Sequence, residues 1–102
     1  MPNYSGNVTV IGRMSHSQMT KLSELFGHSF SVPSSLTYQN KEGKLHATYG
    51  FTGLERLPDS WDVAALVWDY LGEYAWVGVF LGDGVEKVER RMTYAEYKEY
   101  DE

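Results

Sequence analysis

The chain contains no cysteine, which excludes a disulfide framework and a thiolate metal site together and suits a reducing compartment. Long apolar runs are also missing. The longest near-apolar stretch, Val77 to Gly82, falls far short of the ~20 residues that a bilayer-crossing helix needs. The opening MPNYSGNVTV has neither the basic head nor the apolar middle of a secretory leader. These absences lead to the expectation of a cytoplasmic protein with no membrane partner.

Positive charge is scarce. Nine Lys and Arg stand against 14 Asp and Glu, a net charge of −5. Arg90 and Arg91 are the only adjacent bases. Holding nucleic acid takes clusters of Lys and Arg against the phosphates. No direct nucleic-acid partner is therefore expected, and the acidic balance turns the expected partner toward basic surfaces.

Catalytic motifs are absent as well. His16, His28 and His46 form no His-x₃-His or His-x-Glu cluster, whereas a zinc site needs three or four converging ligands. The serines lie outside any Gly-x-Ser-x-Gly context. Gly82-Asp83-Gly84 is too short to cradle phosphate and leads into a strand, while phosphate loops lead into a helix. Asp59 and Asp62 sit where helix capping accounts for them. The expectation is a non-enzyme with no cofactor and no metal.

What is present is core-forming material. Apolar residues make up 42% and aromatics 15% of 102 residues, enough for one domain over 1–102 with its own core. Residues 7–14 are β-branched and alternating, and predict a first strand. Ser15 or Ser17 can cap a helix over about 17–27, with Met19, Leu22, Leu25 and Phe26 at helical spacing and Gly27 as its stop. SLTYQN and KLHATYGF flank Lys41-Glu42-Gly43, a hairpin expected to carry a bulge at Gly43.

LPDSWDVAALVWDYLG predicts a second helix, capped at Asp59 or Ser60 and ended by Gly72. AWVGVFL is apolar on both faces and reads as an interior strand, followed by the charged edge strand VEKVERRM. Thr93-Tyr94-Ala95-Glu96 reads as a capping box opening a last short helix. The resulting expectation is an α+β fold with a ferredoxin-like β-α-β-β-α-β core, a C-terminal β-α extension and a mostly antiparallel sheet.

Tyr49-Gly50-Phe51 on an apolar strand resembles the base-stacking strand of RNA-recognition domains. Those domains carry the aromatics on the open sheet face. Here Tyr49 and Phe51 share parity with Leu45 and Ala47, while Lys44, His46, Thr48 and Thr52 take the other face. Parity puts both rings in the core. The first strand, Val8-Thr9-Val10, lacks the partner aromatic, and Ala47 stands where a base is usual. Val67-Trp68-Asp69 resembles the inhibitory helix of barstar-type ribonuclease inhibitors, which would make Asp69 the matching carboxylate. Ala65 stands where a second acid is expected and the preceding Tyr-Gly segment is missing, so no role is carried over.

Two surfaces remain. On the second helix Trp61, Ala64, Ala65, Trp68 and Leu71 form one apolar face, widened by Val63, Leu66, Val67 and Tyr70. Asp62, Asp69 and Glu73 are its polar stripe. Such a helix is either buried under the C-terminal extension or meets another chain. In the tail TYAEYKEYDE, Tyr94, Tyr97 and Tyr100 or Asp101 fall along one side, with Glu96, Glu99, Asp101 and Glu102 on the remainder.

The expected function is a small acidic protein-binding module, of the inhibitor kind that phages and mobile elements make, blocking a basic surface of a target protein. Asp62, Asp69, Glu73, Glu96, Glu99 and Asp101 would supply charge, and Tyr97 and Tyr100 contact area. The alternative is a regulatory domain that forms a homodimer through its open sheet face and binds a small ligand. By parity that face would carry Thr9, Ile11, Thr37, Gln39, His46, Thr48, Trp76 and Phe80.

Overall fold

The computed structural model describes residues 4–32, 34–56, 58–72, 75–82 and 87–92, the last segment through its backbone. The first strand, β1 (Tyr4–Gly12), alternates between faces and buries Val8 and Val10 completely. It begins three residues earlier than its β-branched pattern suggests, because strands on both sides extend to meet it. Tyr4 pairs with Leu54 and Ser5 with Gly82.

Helix α1 (His16–Phe30) opens on a capping box. The Gln18 amide donates to Ser15 Oγ at 3.1 Å, and the Ser15 amide to Gln18 Oε1 at 2.9 Å. Gly27 does not end the helix. The chain stays helical to Phe30 and stops at Ser31, whose φ of 59° is left-handed. Phe30 explains the extra turn: its ring stacks on Phe26 at 5.7 Å and meets Phe51 edge-on at 5.0 Å. Such ring pairs add to burial energy and offset the ~1 kcal/mol that an interior glycine costs a helix.

Strands β2 (Ser35–Lys41) and β3 (Lys44–Leu54) form the expected hairpin, but without a bulge. Glu42 joins Gly43 in the left-handed region, at φ 53° and 79°, so Lys41 pairs directly with Lys44. A two-residue turn of this handedness matches the twist of its flanking strands.

Helix α2 (Ser60–Leu71) has the predicted ends. The Asp59 carboxylate accepts from the Trp61 amide at 2.8 Å, and the Gly72 amide donates to the Trp68 carbonyl at 2.9 Å. Strand β4 (Trp76–Gly82) and strand β5 (Lys87–Met92) follow. The expected last helix beyond Thr93 lies outside the described residues.

The sheet is antiparallel throughout, in the order β2-β3-β1-β4-β5. β4 lies between β1 and β5, which accounts for its apolar residues on both faces. Both helices cover one face, so the domain is α+β. Met19, Leu22 and Phe26 of α1, with Val63, Ala64, Val67 and Trp68 of α2, meet the inward residues of β1, β3 and β4.

Tyr49 and Phe51 belong to this core, as parity requires, and Tyr49 is fully buried. The Tyr49 hydroxyl donates to the Met19 carbonyl at 2.9 Å. The Phe26 ring stands edge-on to both, at 5.0 Å and 5.7 Å. Trp68 Nε1–H donates to the Ala75 carbonyl at 2.8 Å, tying the end of α2 to the entry of β4.

Candidate acidic docking groove

Helix α2 turns Ser60, Val63, Ala64, Val67 and Trp68 inward. The apolar face is rotated from the expected one, since Trp61, Ala65 and Leu71 are half-buried and Val63 and Val67 sit at the centre. Sheet contact selects among the many apolar positions of this helix; periodicity alone does not rank them. The rotation leaves Asp62 and Asp69 exposed on the outer side. They are seven residues apart, about 10 Å along the axis at the rise of an α-helix.

Ala65, Leu66 and Tyr70 lie beside these acids, and Leu25 of α1 faces them across the helix–helix seam. Together these six residues line a shallow groove of about 480 Å³. Leu25, Leu66 and Tyr70 pack on the core from its margin and remain partly exposed. The groove thus has an apolar floor and an acidic wall. Leu66 and Tyr70 were legible as apolar positions beyond one face of the helix. Leu25 carries no signal for the groove in sequence, because only the packing of α1 on α2 brings it there.

Among the described side chains, no cation compensates the wall. α2 contains no Lys or Arg. Among the residues whose side chains are described, the ion pair that forms is Lys21–Glu24 at 3.4 Å on α1, and neither aspartate of the groove pairs with one of these residues. Asp62 sits in the first turn, where the helix dipole favours an anion. Asp69 lies near the opposite end, where the dipole disfavours one, and no base occupies the last turn. Charge is also segregated along the chain. Residues 59–102 hold eleven of the acids and four of the bases, whereas residues 1–58 hold three acids and five bases.

Of the other expected site residues, Glu73, Glu96, Tyr97, Glu99, Tyr100 and Asp101 lie outside the described residues. Asp62 and Asp69 are the two that the structure brings onto one groove.

The open sheet face carries the expected rows. Thr37, Thr48, Thr9 and Gly78 align across four strands, as do Gln39, His46, Ile11 and Trp76. Trp76 and Phe80 do not stand free on it; both are half-buried. A Cβ at Gly78 would lie 2.9 Å from Trp76 Cη2 and 3.3 Å from Phe80 Cε2, so the two rings close over the glycine from either side. His46 has Gln39 and Ile11 as cross-strand neighbours, and among the described side chains no carboxylate is paired with it. Among the described residues no group of three His, Asp or Glu comes together as a metal site. None of the described helices is long and apolar enough to cross a membrane.

No protein-family model, curated protein or solved structure matches this chain.

Proposed function

We propose that this chain is a small protein-binding module, an inhibitor in type, that docks the acidic groove of α2 onto a basic surface of a target protein. Asp69 carries the reading. An exposed carboxylate in the last turn of a helix, with no cation beside it among the described side chains, opposes the helix dipole. Local electrostatics that work against the fold are expected where a surface serves a partner. The apolar floor beside it, Leu25, Leu66 and Tyr70, supplies contact area to the same partner.

Arginine is the side chain that such a groove fits best. Its aliphatic stem covers Leu66, its guanidinium engages a carboxylate in a planar fork, and its π face stacks on Tyr70. A target that binds nucleic acid displays such arginines, and carboxylates there would compete with phosphate. Glu73, Glu96, Glu99 and Asp101 would extend the negative field, with Tyr97 and Tyr100 as added contact area. The order of elements and strands supports reading the scaffold as a ferredoxin-like sandwich widened by β5. The proposal assigns the protein no catalytic step and no cofactor, and places it in the cytoplasm.

The test is capture of a stoichiometric partner from host lysate on tagged protein, with elution in rising salt. It is then repeated with Asp62→Lys/Asp69→Lys. Charge reversal should slow association by about tenfold or more at low salt and flatten the salt dependence. Both sites are exposed, so the variant should stay folded by circular dichroism. A partner held equally by folded variant and wild type at low salt would show that the groove is not the docking surface.

A further inference from the structure

Among the described residues, strand β2 is an edge strand that pairs with β3 alone, and along its seven residues only Leu36 is even half-buried. The usual protections of an edge are missing. Ser35–Lys41 contains no proline, its register against β3 runs without a bulge, and its one charge, Lys41, stands at the end.

The turn fixes which backbone groups point outward. A two-residue turn is closed by a hydrogen-bonded pair, here Lys41 and Lys44. Bonded and non-bonded pairs alternate from there. Gln39–His46, Thr37–Thr48 and Ser35–Gly50 are therefore bonded inward, and Leu36, Tyr38 and Asn40 turn their amide and carbonyl away from β3.

This outward set is symmetric about Tyr38, the middle residue of the strand. We infer that β2 pairs with β2 of a second copy of this chain, antiparallel, with Tyr38 on the two-fold axis. Leu36 then bonds Asn40 of the other copy, Tyr38 bonds its own counterpart, and every outward backbone group in the set finds a partner. Thr37 stands beside Gln39 and Ser35 beside Lys41, so no like charges oppose one another. The strand holds no acid, so two chains of net charge −5 meet where repulsion is small.

Tyr38 gives the strand a reason to self-pair. At 49% exposure it is the one exposed large hydrophobic side chain among the described residues. Its ring already stands edge-on to His16 at 5.3 Å, on the helix side of the sheet. Self-pairing would set the two Tyr38 rings side by side as a cross-strand aromatic pair. The pairing leaves the acidic groove free, because α2 packs over β4, away from the β2 edge. It stands independently of the docking function, and a dimer would display two such grooves.

Sedimentation equilibrium of the whole chain over a concentration series tests the inference. Wild type should show a reversible monomer–dimer equilibrium. Tyr38→Lys and Tyr38→Glu each place like charges on the axis and should weaken the dimer roughly tenfold or more. An equimolar mixture of these two variants should restore it. Gln39→Lys sets its charge beside Thr37 of the other copy and should leave the equilibrium near wild type. Circular dichroism confirms that each variant is folded, which exposure of both positions favours. A wild-type chain monomeric at every concentration, a dimer indifferent to Tyr38, or a mixture that stays monomeric would each overturn the proposal.

Discussion

Replacing Tyr49 with Phe keeps the ring in its aromatic cluster and removes one hydroxyl. In the folded chain that hydroxyl is fully buried and donates to the Met19 carbonyl at 2.9 Å. The carbonyl belongs to α1 and can accept a helical amide as well, so the loss is that of one neutral hydrogen bond, about 1 kcal/mol at pH 7. The sign changes in alkali. Burial, with the neighbouring Tyr70 adding to it, holds the Tyr49 proton well above the ordinary tyrosine range.

An unfolded tyrosine releases its proton near pH 10. Above that pH the unfolded chain binds fewer protons than the folded one, so stability falls as pH rises. The slope approaches about 1.4 kcal/mol per pH unit. Tyr49→Phe lacks this loss, and the other seven tyrosines are common to both chains. The wild type should therefore lead by about 1 kcal/mol at pH 7, lose that lead near pH 11, and fall below the variant beyond it. Urea unfolding followed by far-ultraviolet circular dichroism, stepped from about pH 7 to 11.5, measures both curves. Parallel curves would show that the folded state does not hold the Tyr49 proton, and the reasoning would fail.

Phe26 touches Phe30, Tyr49 and Phe51 within 5.7 Å, so Phe26→Ala should cost about 3–5 kcal/mol in urea unfolding; a loss under about 1 kcal/mol would mean the cluster collapses around the gap. Two glycines separate steric need from conformational need. A Cβ at Gly6 would strike the Phe80 carbonyl, whereas one at Gly43 meets nothing within 4 Å and faces only the strain of φ 79°. Gly43→Ala should cost about 1 kcal/mol and Gly6→Ala clearly more; the reverse order of unfolding midpoints would contradict the register of β1 against β4.

Much of the local structure was legible because its causes are local. Ser15 with Gln18, and Asp59 with Gly72, mark helix ends through hydrogen bonds within a few residues of sequence. Strand parity sorted Tyr49 and Phe51 from His46 and Thr48, since alternation is a property of the extended backbone itself. Where a distant partner compensated a local penalty, the sequence misled. Gly27 looks like a helix stop, yet Phe51, across the core, holds Phe30 in helical register. The bulge expected at Gly43 was not needed, because Glu42 also took the left-handed conformation.

The candidate site divides in the same way. Asp62 and Asp69 could be named from their spacing on an otherwise apolar helix. That they border a groove floored by Leu25 and Leu66 depends on how α1 lies against α2, and that angle is written in no short segment.

By itself, then, the sequence determined the elements among the described residues, their order and the acidic balance, all of which follow from near neighbours and composition. Tertiary structure alone decided which side of α2 is buried, which edge of the sheet is left open, and which way the Trp76 and Phe80 rings lie. Those outcomes arise from contacts between residues far apart in the chain, whose energies no single stretch contains.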